Sequence, residues 1–272
     1  MTFHNATSTL LSEPSLPLGF SHETLLGHHF PLSFAVLYFI TVKSLAARNV
    51  KPPVGRHWTQ AGWFTALVVA HNAFLAIFSA VTFIGASKGV MNSYGGRGFK
   101  EAYCDRDEQL WNSSLGYYAF YFYLSKYYEV IDTAIILLKG RKPSLLQSYH
   151  HAGAIISMWL CVRSHATGTW IFVVFNSFIH TLMYSYYVFT TVGIRPPTYL
   201  KKTLTRMQIT QFCIGGALAA AYPLIPGCLK MDPARLWEEK GAYVFVLSYL
   251  GPLVLLFVNF ARRTYAAKMK KA

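Results

Sequence analysis

Seven apolar stretches of roughly 20 residues, long enough to cross a bilayer, recur along the chain. They fall at about 30–46, 63–86, 114–138, 145–163, 170–191, 204–222 and 241–260. The loops and tails between them reach at most about 30 residues, too short for a separate soluble domain. The pattern predicts an all-α integral membrane protein: a tail over 1–29, a seven-helix domain over 30–260 and a basic tail over 261–272. Composition agrees, since 53% of the 272 residues are apolar and 13% are charged. That is half the charged share of an ordinary soluble domain. Mean hydropathy is +0.31.

The formal charge of +14 does not mark a nucleic-acid binder. Its basic residues form no single patch; they alternate with the apolar stretches. Lys43, Arg48, Lys51 and Arg56 follow the first stretch, Lys139, Arg141 and Lys142 the third, and Arg195, Lys201, Lys202 and Arg206 the fifth. Arg262, Arg263, Lys268, Lys270 and Lys271 end the chain. The opposite loops hold fewer cations, partly offset by acids. The positive-inside rule therefore predicts a lumenal N-terminus and a cytosolic C-terminus. Residues 1–29 carry no Lys or Arg, so the basic start of a cleaved signal peptide is not expected.

Other features fit that orientation. The sequons at Asn5 and Asn112 fall on the lumenal side, as glycosylation requires. Lys268-Met269-Lys270-Lys271-Ala272 has the K-x-K-x-x form of a dilysine retrieval signal, which predicts the endoplasmic reticulum membrane. Attraction of the tail to anionic lipid is the alternative. Cys104 and Cys228 share the oxidising side and are disulfide candidates, while Cys161 and Cys213 lie within helices.

Polar residues inside a membrane span are costly and mark function by default. The third stretch carries Lys126, Glu129 and Asp132 at one-turn intervals, a ladder that is either catalytic or a structural ion-pair network. Gln147, His150 and His151 share one face of the fourth. Asn176, His180, Tyr184 and Tyr187 form a stripe on the fifth, and Gln208 and Gln211 lie one turn apart on the sixth. His71, in the second, reads as an isolated packed histidine. These faces predict a common interior cavity near the cytosolic side. Asp132 and His150 lie about 9 Å, and His180 about 17 Å, from the cytosolic ends of their spans. Three imidazoles are too few for the two irons of a membrane desaturase or hydroxylase, so no metal is expected. A seven-helix receptor, channel or transporter would share the topology but not the paired histidines.

Four motifs in order, K-x-x-E-x-x-D-T (126–133), Q-x-x-H-H (147–151), N-x-x-x-H-x-x-M-Y-x-Y-Y (176–187) and T-x-x-Q-x-x-Q-F (205–212), resemble the ELO family of fatty-acid elongases. Gln147 departs from the commonest box, which has histidine there; the L-Q-x-x-H-H-x-G-A form is similar to that of protist elongases acting on C18 and related unsaturated chains. The resemblance implies a very-long-chain 3-oxoacyl-CoA synthase with an acyl-chain tunnel. It would condense long-chain acyl-CoA with malonyl-CoA, releasing CoA and CO₂, through an acyl-imidazole and without a cofactor. On this reading His150 is the nucleophile, and His151 and His180 handle protons and the enolate. Asp132 or Glu129 orients an imidazole. Lys126, Gln147, Asn176, Tyr184, Tyr187, Gln208 and Gln211 bind substrate. Lys139, Arg141, Lys142, Lys201 and Lys202 ring the mouth and suit the phosphates of CoA, although positive-inside charge alone explains them equally. Membrane lipid, a 3-oxoacyl-CoA reductase, a 3-hydroxyacyl-CoA dehydratase and an enoyl-CoA reductase are the implied partners, with room for a homo-oligomer. The small residues over 215–221 of the sixth stretch, Gly215 and Ala219 among them, read either as close helix packing or as space for the end of the acyl chain.

Overall fold

The computed structural model describes residues 21–48, 57–229 and 232–269, which hold helices, turns and no strand. The helices are α1 His22–Leu26, α2 His29–Ala47, α3 Gly62–Gly95, α4 Phe99–Cys104, α5 Gly116–Tyr128, α6 Val130–Leu138, α7 Leu145–Arg163, α8 Thr169–Thr191, α9 Thr198–Ala221 and α10 Pro233–Met269. Their ends follow from local chemistry. Ser144 caps α7 by accepting the Gln147 N–H at 3.1 Å. Gly140 and Gly193 take φ of 69° and 89° just past α6 and α8, where a side chain would be strained. Pro197 opens α9.

Four helices are long and apolar enough to cross a membrane: α2, α3, α8 and the Arg235–Tyr265 part of α10. They mark an integral membrane protein. The other expected stretches are also helical, over α5–α6, α7 and α9, but these helices carry the polar motifs that dilute their hydropathy. The third stretch is interrupted between α5 and α6 at Glu129, where Asp132 N–H bonds back to Glu129 O at 3.1 Å. The turn falls between the two carboxylates, which face different partners.

α3 runs beside α8, α9 lies between α8 and α10, and α7 packs on α2, α5 and α10. The helices beyond α2 enclose two internal cavities. α2 lines neither of these two. Residues 21–29, read as tail, are docked: the carbonyl of Leu25 accepts Tyr123 Oη at 2.8 Å, and that of Leu26 accepts Trp159 Nε1 at 2.9 Å. The basic C-terminal segment continues α10 as helix to Met269. Asn5, Lys51, Arg56 and the end of the dilysine sequence lie outside the described residues.

The loops α4–α5 and α9–α10 are tied together. There Cys104 and Cys228 form a disulfide, with Cα atoms 4.4 Å apart. Tyr222 Oη lies 3.0 Å from the Cys104 carbonyl and 2.9 Å from the Cys228 carbonyl. Arg235 pairs with Glu108 at 2.7 Å and Arg163 with Glu238 at 3.1 Å. Asn112 is exposed in a π-helical turn over Trp111–Leu115.

Candidate active site

The α5–α6 ladder resolves into two clusters. In the first, Lys126 Nζ donates to Glu129 Oε1 at 2.7 Å, with both side chains buried. Ser125 Oγ donates to the same oxygen at 3.2 Å, and His180 Nδ1 lies 3.6 Å from it. Lys126 also reaches Asn176 Oδ1 at 3.4 Å and sits over the Phe122 ring. Glu129 Oε2 is buried without a hydrogen-bond partner.

In the second cluster Asp132 joins three helices. It meets His71 Nε2 of α3 at 2.9 Å and accepts from Tyr184 Oη of α8 at 2.7 Å. His71 is thus the buried, hydrogen-bonded histidine that the sequence suggests, and it touches the site through Asp132 without lining the polar cavity. No signal in its own surroundings announces this, because its partner lies 61 residues away. Next to Asp132, Thr133 Oγ1 bonds Tyr38 Oη at 2.8 Å and accepts from Gln147 Nε2 at 3.4 Å. The Gln147 amide is 3.3 Å from His151 Nε2. An amide nitrogen only donates, so His151 Nε2 is the acceptor of this contact.

Neither carboxylate touches His150. Its imidazole lies instead against Tyr249 of α10, with Nδ1 3.1 Å from Tyr249 Oη. Tyr249 is a residue that sequence reasoning missed, since it occupies an otherwise apolar stretch. The His150 and His151 ring centroids are 5.5 Å apart.

These groups border a polar cavity of about 450 Å³, lined by Asp132, Gln147, His150, His151, His180 and Tyr184 among others. Asn176, Tyr187, Gln208 and Gln211 also line it. Lys139 and Arg141 line it, whereas Lys142, Lys201 and Lys202 do not. Gln208 donates to Met183 Sδ at 3.3 Å, whereas Gln211 Oε1 is buried without a hydrogen-bond partner. Beyond His150 a narrower apolar cavity of about 60 Å³ runs between α5, α7, α8, α9 and α10. Its walls include Phe122, Cys161, Ile171, Phe172, Gly215 and Leu250. His150, Asn176, Gln211 and Phe212 line both cavities. Gly215 faces the apolar one, but Ala219 does not: it is fully buried in the cluster of Tyr103, Ile171, Tyr222 and Tyr243 beyond it. No three His, Cys, Asp or Glu side chains converge as metal ligands among the described residues.

A polar pocket with clustered imidazoles thus shares a wall with an apolar slot inside a membrane protein. The model of the ELO (GNS1/SUR4) family matches residues 24–272, and the chain belongs to that family. It is 32% identical to fatty acid elongase sre1 of Dictyostelium discoideum over 225 residues, 80% of each chain. It is 28% identical to fatty acid elongase 2 of Trypanosoma brucei brucei over 226 residues, again 80% of each. Very long chain fatty acid elongase 6 of Mus musculus is 28% identical over 207 residues, 75% of each chain. The protein is a multi-pass membrane enzyme of fatty-acid elongation.

The role of Gln147 is testable at this point. Imidazole reaches about as far as the amide and also donates a hydrogen bond, so Gln147→His is expected to keep most of the elongation activity. Gln147→Ala leaves a buried imidazole nitrogen unpaired and is expected to lose at least about tenfold. Equal losses in turnover assays at matched expression would assign the position to shape instead.

Proposed function

We propose that the protein is the condensing enzyme of elongation, a 3-oxoacyl-CoA synthase that joins long-chain acyl-CoA to malonyl-CoA through an acylated His150. The observation that carries this reading is the position of His150, between the polar cavity and the apolar slot. An acyl chain seated in the slot would hold its thioester carbon beside the imidazole, with the CoA moiety in the polar cavity. His150 attacks that carbon, a C–N bond forms, the C–S bond breaks and CoA leaves as thiolate. Malonyl-CoA then loses CO₂. The electron pair of the broken C–C bond becomes an enolate, which attacks the acyl carbon and expels the imidazole. His180 and Asn176 face the enolate from α8, and Glu129 beside His180 stabilises its protonated form. Lys139 and Arg141 meet the phosphates of CoA. All of these groups come from the chain itself, and no metal or cofactor is required.

The seven helical stretches are read as seven spans, with the cavity mouth and its cations cytosolic and the disulfide lumenal. The endoplasmic reticulum membrane supplies both the lipid and the three partner enzymes, a 3-oxoacyl-CoA reductase, a 3-hydroxyacyl-CoA dehydratase and an enoyl-CoA reductase. C18 unsaturated chains are the proposed primers.

The test is incubation with acyl-CoA alone. One equivalent of CoA should be released and the acyl mass should appear on the peptide containing His150. CoA release that strictly requires malonyl-CoA, with no adduct, would favour direct transfer.

The slot also predicts a length limit. Gly215 and Ile171 both line the slot, and a Cβ at Gly215 would sit 3.4 Å from Ile171 Cγ2, so a larger side chain there takes up slot space. Gly215→Leu should shorten the longest product while shorter primers are still extended, as read by product profiles at matched expression. Uniform loss across primers would return Gly215 to helix packing.

A further inference from the structure

We infer that Tyr249 is a positioning residue that fixes His150 in one tautomer, with the proton on Nδ1 and the Nε2 lone pair free as the attacking atom. Two contacts carry the inference. Tyr249 Oη lies 3.0 Å from the backbone carbonyl of His150 and 3.1 Å from the Nδ1 of the same residue. A phenol has one proton, and a carbonyl oxygen only accepts. The phenol proton therefore goes to the carbonyl, so the phenol oxygen must accept from the ring, and Nδ1 carries the hydrogen. Nε2 is then the unprotonated nitrogen and the one able to form a bond to an acyl carbon. No carboxylate performs this service for His150: Glu129 serves Lys126 and His180, and Asp132 serves His71 and Tyr184.

The sequence provides for this contact with a missing side chain. Gly153, one turn after His150 on α7, sits directly beneath the Tyr249 ring; a Cβ there would lie 2.1 Å from Tyr249 Cε2. Only glycine lets α10 bring the phenol down onto α7. The ring is held on its other side by Tyr149, with centroids 5.3 Å apart, and Tyr149 Oη donates to the Tyr249 carbonyl at 3.2 Å. The glycine of the Q-x-x-H-H-x-G segment is thus explained by a residue about a hundred positions later. Its purpose is to admit the group that orients the histidine.

During acylation through Nε2 the ring becomes an acyl-imidazolium that still carries Nδ1–H. Tyr249 Oη accepts that hydrogen bond while positive charge is on the ring, and the bond strengthens as the charge develops.

The inference concerns the tautomer and rests on the acyl-His150 reading only for its consequence in catalysis, so the experiment reads the two separately. The full-length protein is labelled with [¹⁵N]histidine in detergent, and the His150 signals are assigned by their loss in His150→Gln. The wild-type spectrum should show a protonated Nδ1 and a bare Nε2. In Tyr249→Phe, which keeps the ring over Gly153, that preference should vanish and the Nε2–H tautomer should appear. Tyr149→Phe, which removes a neighbouring hydroxyl without touching the imidazole, should leave the spectrum as in wild type. The rate of acyl-adduct formation should fall at least about tenfold in Tyr249→Phe, with KM for acyl-CoA within about twofold. A wild-type His150 protonated at Nε2 overturns the inference without any variant. So does a Tyr249→Phe spectrum identical to wild type. A tautomer that shifts as expected in an enzyme forming no adduct would support the role of Tyr249 and remove the acyl-enzyme.

Discussion

His150→Ala is expected to lower condensation by at least about 10³-fold and to abolish the acyl adduct, with no loss of protein from the membrane. The magnitude follows from removing the imidazole that, alone among those of the described residues, borders both the polar cavity and the apolar slot. The mildness of the structural effect follows from the surroundings. His150 borders two cavities, and its side chain hydrogen-bonds Tyr249, whose hydroxyl still has the His150 carbonyl to donate to. His180→Ala should behave differently. His180 lines the polar cavity but not the slot, so the adduct should still form while turnover collapses at the malonyl-CoA step. Peptide mass mapping after incubation with acyl-CoA, followed by a chase with malonyl-CoA, separates the two. An adduct on His180 that survives in His150→Ala would exchange their roles.

The helices were legible in the sequence because each apolar run must satisfy its backbone internally and meet lipid or other helices along its whole length. Their boundaries were clear where Gly or Ser imposes a local stop, as at Gly140, Ser144 and Gly193, whereas α9 begins at Thr198, just after Pro197 and ahead of the expected start at 204. The break at Glu129 was not legible: it lies in the run Tyr127-Tyr128-Glu129-Val130, with no proline or glycine to announce it. Among site residues, those repeating at helical spacing on one span could be found, since periodicity puts them on one face. The partners that give them their chemistry come from other spans and carry no such mark. His71 looks like a lone packed histidine until α6 brings Asp132 to it. Tyr249 looks like one more aromatic in a membrane helix until α7 presents His150 and Gly153. The cations are a different case. Positive charge at the ends of spans is demanded by topology as well as by ligands, so sequence could not separate Lys139 and Arg141, which line the polar cavity, from Lys142, Lys201 and Lys202, which do not line it.

The ladder that the sequence left open between catalysis and structure can be divided by a pair of variants. Lys126→Met removes the ammonium from a carboxylate that is 2% exposed and leaves Glu129 charged against Ser125 and His180 alone. Breaking a buried pair from one side costs about 3–5 kcal/mol, because the remaining charge has been taken out of water without its counterion. The apparent melting temperature in detergent should drop by on the order of 10 °C. Lys126→Met combined with Glu129→Leu removes both charges, and a buried pair replaced by apolar groups of similar volume is often neutral or stabilising. The double variant should therefore recover most of the lost melting temperature. It should not recover activity, because His180 then lacks the carboxylate oxygen that lies 3.6 Å from its Nδ1 and stabilises its protonated form. The coupling between the two substitutions thus reports the ion pair, and the gap between restored stability and missing turnover reports the share of Glu129 in the chemistry. A double variant that regains both would make Lys126 and Glu129 a structural pair only and leave His180 to act without a carboxylate partner.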